Sequence, residues 1–533
     1  MQNYMTQSTV SSRVFRLLSN QYNYLSANTL YFKISAGFLV CLLLLSASTT
    51  LTAQPLENIE QNVTEFTLDN GLHVIIIERD VAPVASFVTH VNVGSVNEQL
   101  GQTGITHVFE HMAFKGSTTI GTTDWKSEKI VIERMDEAYK AWLLESRKPD
   151  PNHEKLEILW NEFAELQEEA GQYVVNNEFS QIVEREGATG LNAFVSADET
   201  AFFYSLPQHK AELWFALEAD RFINPVMREF YVEKDVIFEE RRDRIDNSPF
   251  GRLMEEFVST AFSAFPYKHL PIGWPSDIES VTISDALEFY KRHYVPGNIT
   301  ISVAGDVDPE QIRGYAEKHF GPMRAGQPPP RVTTIEPEQR GERRLVIEEE
   351  SQPILMIGYH SVDENHPDAV AMDILSGILF DGRTSRLYRR LVTDERKALQ
   401  IGGFNGFPGS RYPGLFVIYA IPNQGVDLAD IEEAIYEELD RIREGNIEES
   451  EIQRVRTNAR ASVIRGLSSN QGMALNFAQA HAKRGDWKAI FTDLDVMDEI
   501  TADDLQRVAE TYFRKQTRTV ASIRTRNDAT ASN

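Results

Sequence analysis

The sequence predicts an α+β protein of two domains with common ancestry, the first enlarged by a helical insertion. Three observations point there. Strand-like runs bounded by turn signals alternate with amphipathic helical segments through both halves of the 533 residues. Residues 284–294 (SDALEFYKRHY) match residues 502–512 (ADDLQRVAETY), and each is followed by a β-rich run, ITISVAG and TRTVASI. Leu287 matches Leu505 and Tyr294 matches Tyr512 at an offset of 218 (505 − 287), whereas Phe114-Lys115-Gly116 matches Phe380-Asp381-Gly382 at 266 (382 − 116). The first half therefore carries about 48 extra residues (266 − 218).

Taken in order, the chain begins with an apolar run from Ile34 to Ala47 that contains Cys41, the single cysteine, and follows Arg13, Arg16 and Lys33. It falls short of the roughly 20 apolar residues that span a bilayer. It reads as the core of a signal peptide over residues 1–53, cut after Ala53 or after Ser48, with an uncleaved membrane anchor as the alternative. The expectation is export to a periplasm, and a mature chain with neither disulfide nor thiol nucleophile.

Residues 65–79 (EFTLDNGLHVIIIER) form a hairpin about Asn70-Gly71, and Val84 to Ser95 is a second strand. Gly104 opens a helix that ends near Lys115-Gly116. The charged helical insertion, about 137–184, breaks at Pro149-Asp150-Pro151 into a helical hairpin. Leu191 to Leu206 returns to strand, then helices cover about 210–224 and 232–246. The first domain is assigned to 58–280, with its closing helix–strand and a Pro-rich linker in 281–345. The second domain is assigned to 346–525 and a tail to 526–533.

Composition narrows the function. A 42% hydrophobic and 25% charged chain is globular in character, and a formal net charge of −26 argues against nucleic acid as a partner. The informative cluster is His107, Glu110 and His111 in GITHVFEHMAFKG. Residues four apart share a helix face, so both imidazoles can reach one zinc ion, and a free carboxylate beside them can act as a base. The alternative is a pair of surface histidines bridged by a glutamate. A third ligand is sought in FYVEKDVIFEERRDRID, where Glu233 and Glu240 are seven apart and Glu239 points about 100° away from Glu240. Spacing alone reads that stretch as a solvated acidic helix. His209, His269, His293 and His319 have no partner spacing and are read as structural or surface residues.

From about residue 60 to 525 the chain resembles the pitrilysin (insulinase-like) zinc peptidases of the short, two-domain bacterial or processing-peptidase type, whose inverted motif is HxxEH. The resemblance rests on VNVGSVNE, HVFEHMAFKG, GLNAFVSADETAF, EKDVIFEE and FYKRHYVPGNITISVAGDV. It implies two homologous domains, each a mainly antiparallel sheet packed against helices, and one zinc ion per chain. It makes Glu240 the third ligand, Glu233 a supporting carboxylate, and Asn192, Ala193 and Phe194 the strand that pairs with a peptide backbone. Glu110 becomes the catalytic base of an endopeptidase for unfolded or short peptides.

The sequence departs from the family pattern in three places. Between the second histidine and Glu240, 128 residues intervene (240 − 111 − 1), an excess that the insertion explains. At offset 266 the second domain has Asp373, Ser376 and Gly377, which cannot form the same metal site. Val392 and Gln400 occupy the places of the family's usual Arg and Tyr oxyanion donors, and a valine side chain offers no donor. The resemblance therefore implies a homodimer, or a heterodimer with a related non-catalytic subunit. The competing reading is a non-catalytic or assembly subunit that binds peptides.

Overall fold

The structure is a computed structural model that describes residues 59–526; the apolar run at 34–47, with Cys41, lies outside them. The described residues form one compact unit built on two sheets. The first contains β1 (Val63–Thr67), β2 (His73–Glu78), β3 (Val84–Val91), β4 (Thr189–Val195), β5 (Thr200–Pro207) and β6 (Ile299–Gly305) in the order β1-β2-β6-β3-β5-β4. The second contains β7 (Arg343–Glu349), β8 (Ile354–His360), β9 (Ala398–Phe407), β10 (Leu415–Pro422) and β11 (Arg518–Thr525) in the order β7-β11-β8-β10-β9.

Setting β2 against β7, β6 against β11, β3 against β8, β5 against β10 and β4 against β9 superposes the two strand orders. In both sheets the last strand in sequence enters the middle, running parallel to the first of these strands and antiparallel to the other neighbour. All other pairings are antiparallel. The repeat read from sequence is thus a repeat of topology, with β1 added to the first sheet.

Its register shifts by one residue. The helices Ile283–His293 and Ala502–Tyr512 each start at a threonine capping box, Thr282 with Asp285 and Thr501 with Asp504, an offset of 219 (504 − 285). Burial selects the same offset, since Ala286, Phe289 and Tyr290 fall on Leu505, Val508 and Ala509. The residue-by-residue match at 218 aligned similar letters but set Leu287, only half buried, against the buried Leu505.

The insertion is helical. Trp125–Ser146 and His153–Gly171 form an antiparallel pair about the Pro149–Pro151 break, and a short third helix, Glu178–Arg185, leads into β4. Asp124 and Asn152 cap the two long helices with their side chains. Residues 324–342 contain neither helix nor strand. The helix Asn470–Arg484 crosses back and lies on β2, β3 and β6, burying Met473, Phe477 and Ala478 against Ile75, Ile77 and Val88.

Candidate metal centre

The motif helix Ile105–Met112 starts at Gly104, whose φ of 90° belongs to the left-handed region. A Cβ there would stand 2.9 Å from the Ile272 carbonyl oxygen, so only glycine fits. The buried Glu98 carboxylate accepts hydrogen bonds from the Gly104 and Thr106 amides, both at 2.9 Å, and lies 3.0 Å from His269 Nε2. It thereby satisfies amides that a helix start leaves unpaired and sets a negative charge at the positive end of the dipole. Ile105, Val108, Phe109 and Met112 bury one side of the helix, Phe109 against the rings of Tyr290 and Tyr294. That packing leaves His107 and His111 facing a second helix, Phe230–Arg241.

This second helix is anchored along its length. Lys234 Nζ donates to the carbonyls of Glu279 at 2.8 Å and Val281 at 2.9 Å, and to the Tyr139 hydroxyl at 3.1 Å. The Arg241 guanidinium forks onto Glu255, with contacts at 2.7 and 2.8 Å, and donates to the Gly273 carbonyl. Held this way, the helix divides its acidic residues. Glu239 faces solvent and pairs with Arg242, whereas Glu240 turns inward.

Glu240 Oε2 lies 3.2 Å from His107 Nε2 and 3.6 Å from His111 Nε2, yet has no hydrogen-bond partner. Its other oxygen pairs with Arg244 at 2.5 Å. The two imidazole rings stand almost perpendicular, at 86°, and the three potential ligand atoms all lie within 4.8 Å of one another. Tetrahedral zinc with bonds of about 2.0–2.1 Å separates its ligand atoms by about 3.3–3.4 Å, so these spacings fit one ion with small adjustments. A buried carboxylate oxygen without a hydrogen bond, set between two ring nitrogens, is the observation that makes the residues suit a metal ion.

A surrounding shell orients these groups. His111 Nδ1 donates to Glu233 Oε2 at 3.0 Å, which turns Nε2 toward Glu240. The other Glu233 oxygen pairs with Lys115 at 2.6 Å, and Lys115 also holds Glu229 at 3.0 Å. Burial works against the charged His111 imidazole, but the carboxylates of Glu233 and Glu240 outweigh it and hold its pKa up at about 9. Burial likewise opposes the ionised Glu240, yet His107, His111 and Arg244 keep it well below the usual carboxylate range. Glu110 behaves differently. Burial raises its pKa, only partly offset by the nearby His107 and His111. A carboxyl with raised pKa beside a cation-binding cluster has the properties of a proton acceptor.

Of the residues singled out from sequence, His107, Glu110, His111, Glu233 and Glu240 meet at this site. Asn192, Ala193 and Phe194 lie on β4, one of the two edge strands of the first sheet, which packs beside the motif helix. Val392 packs against the core of the second sheet, Gln400 lies on β9, and Asp373 is hydrogen-bonded by Asn405. Among the described residues the groups able to hold a metal ion include none of these three. Sequence reasoning missed Glu98, Lys115, Glu229 and Arg244. Only Arg244, four residues beyond Glu240 on the same helical path, left a local signal.

Comparison with known proteins gives the family of the chain. The model of the insulinase family (peptidase family M16) matches residues 74–133 and 170–271, and that of the peptidase M16 inactive domain matches 280–459. The chain belongs to the insulinase-like M16 family. The unmatched 134–169 falls within the two insertion helices. Among M16 relatives, zinc protease PqqE of Helicobacter pylori is 29% identical over 463 residues, covering 84% of this chain and 89% of that one. A protease from H. pylori of known crystal structure is similar with a TM-score of 0.72 at 26% identity, covering 87% of this chain and 99% of that one. The fold also matches the periplasmic protease PqqL from Escherichia coli, with a TM-score of 0.65 at 16% identity, covering 87% of this chain but 48% of PqqL.

Proposed function

We propose that this protein is a zinc-dependent endopeptidase that hydrolyses unfolded or short peptides. The observation that carries the reading is the Glu240 oxygen between two imidazole nitrogens, with Glu110 on the same helix as both histidines. Its M16 membership and the zinc-protease relatives support it. His107, His111 and Glu240 would hold the ion, one per chain at this centre, and bound zinc supplies Lewis acidity toward a peptide carbonyl and a water molecule.

The chain's own residues do the rest. Glu110 accepts the proton of the attacking water and delivers it to the leaving amine, a role suited by its raised pKa. Glu233 keeps the proton of His111 on Nδ1, so Nε2 presents its lone pair. Arg244 holds one Glu240 oxygen and directs the other inward. The open side of β4 at Asn192, Ala193 and Phe194 takes up an extended peptide by strand addition. We also infer that the chain is exported to the periplasm, or anchored in the membrane, through its N-terminal apolar run. We further infer that it pairs with a copy of itself or with a related non-catalytic chain. PqqL supports pairing, because more than half of its length extends beyond the match.

A peptide-binding subunit without catalysis is the second reading, favoured by the absence of an oxyanion donor at Val392. Zinc content and cleavage of an unstructured peptide, for wild type and Glu110→Gln, separate the two. The enzyme reading expects zinc in both proteins and cleavage by wild type, with a loss of roughly 10²-fold or more in the variant. Bound zinc with no wild-type cleavage, alone or with its co-purifying partner, sides with the second reading.

A further inference from the structure

A second group of potential metal ligands lies at β1 and β2, on the edge of the first sheet opposite to β4, which packs beside the motif helix. Thr67 pairs with His73, and Glu65 with Ile75, across β1 and β2, which sets Glu65, Thr67 and His73 on one face of the first sheet. That face is covered by the helix Asn470–Arg484, whose last turn carries His481. Between them is a cavity of about 640 Å³, lined by Glu65, Thr67, His73, Thr300 and His481 among others.

We propose that Glu65, His73 and His481 form a second metal site, selective for an imidazole-seeking transition-metal dication such as Zn²⁺, Ni²⁺ or Cu²⁺. One ligand atom from each residue lies within 4.8 Å of the other two. Glu65 Oε2 is 3.3 Å from His73 Nε2, the spacing of neighbouring ligands about one tetrahedral ion. His73 Nε2 and His481 Nδ1 are both buried without a hydrogen-bond partner. The Thr67 hydroxyl lies 3.0 Å from His73 Nδ1, and in the tautomer in which it accepts a hydrogen bond from Nδ1–H the Nε2 lone pair is free for a metal. Two imidazoles and a carboxylate favour late first-row dications over calcium or magnesium, which prefer all-oxygen ligand sets.

The two rings stack at 3.7 Å and 2° from parallel. An ion cannot lie in both of two parallel planes, so ligation opens the stack. His481 can supply the motion, because its helix ends four residues later at Gly485, which is left-handed with φ 77°. The ligands come from both halves of the chain, so a bound ion would clasp the second half onto the first sheet. This site is additional to the single ion expected from sequence and does not rest on the peptidase reading.

The test is equilibrium dialysis of the full chain against Zn²⁺, with metal counted per chain and thermal unfolding recorded with and without the ion. Wild type should bind two ions. Glu240→Gln should keep one, together with a zinc-dependent rise in unfolding temperature. Adding His481→Ala should remove both the second ion and that rise. Glu65→Gln, on a half-exposed side chain, should weaken the second site at least tenfold and serves if the histidine variant fails to fold. A Glu240→Gln protein that binds no ion overturns the proposal, as does a metal count unchanged by His481→Ala and Glu65→Gln. If the peptidase-site reading alone is wrong, Glu240→Gln leaves the wild-type count unchanged while His481→Ala still lowers it by one.

Discussion

Glu233 touches the candidate centre only through His111, so its substitution tests whether the surrounding shell tunes metal affinity. In Glu233→Ala, His111 Nδ1 loses an acceptor at 3.0 Å, and Lys115 loses its 2.6 Å partner while keeping Glu229 at 3.0 Å. The imidazole is then free to rotate or to hold its proton on Nε2. An ammonium no longer offset by its nearer carboxylate also faces the site. Removing such a partner of a metal-binding histidine costs about 10–100-fold in affinity, or about 1.4–2.7 kcal/mol. Glu233→Gln retains an amide oxygen able to accept from Nδ1 and loses only the charge, so its effect belongs near tenfold. Competition for zinc against a chromophoric chelator gives both numbers, and circular dichroism checks the fold. Zinc affinity in Glu233→Ala within about twofold of wild type would refute the claim that Glu233 orients His111, and would weaken the case for His111 as a ligand.

Other substitutions probe the scaffold. Arg228, buried, joins Glu128 in the first turn of the helix Trp125–Ser146 at 2.6 and 3.0 Å and donates to the carbonyls of Lys115, Ser117 and Ile120 beyond the motif helix. Arg228→Met strands the buried Glu128 charge and should cost about 3–5 kcal/mol by urea unfolding; a loss below about 1 kcal/mol would show that the pair is dispensable. Glu199 gives a pH test. Burial opposes its ionisation, but the contacts with His90 and Lys483 prevail and hold its pKa down at about 2. A folded-state value below the unfolded 4.5 means its stabilisation is full above pH 4.5 and is lost as the pH falls toward 2. Wild type should therefore lose more unfolding free energy than Glu199→Gln across that window, and parallel curves would remove Glu199 from the acid response.

The legible features were those with short-range periodicity. HxxEH on a helix face, the Asn70-Gly71 turn and the paired helix–strand units all express repeats of two, four or seven residues, and each appears in the structure. Choosing between Glu239 and Glu240 required the family resemblance, because neighbouring helix positions differ by 100° and only the packing of Ile237 and Lys234 decides which one faces inward. Glu98 was invisible because it caps its helix from six residues upstream of Gly104, outside the usual capping positions. The stacked His73 and His481 are 408 residues apart (481 − 73), and no local pattern links a strand in one sheet to a helix that returns from the other half.

The insertion also bears on the site, through one helix with two working faces. Tyr231 and Lys234, three residues apart, turn one side of Phe230–Arg241 toward the insertion, while Glu233 and Glu240, seven apart, turn another toward the histidines. Tyr231 packs against the Tyr139 ring at 4.3 Å and the Phe163 ring at 5.1 Å, and its hydroxyl donates to Asp136 at 2.7 Å. The same Asp136 oxygen accepts the Ile283 amide at 3.0 Å, at the start of the helix whose Phe289 and Tyr290 pack on Phe109 of the motif helix. One insertion carboxylate thus ties the helix that carries Glu240 to the packing beneath His107 and His111. A rigid metal centre needs its ligand-bearing helices fixed relative to one another, and here the added helices supply part of that constraint. The long separation between His111 and Glu240 in sequence is therefore filled by structure that helps hold the two together.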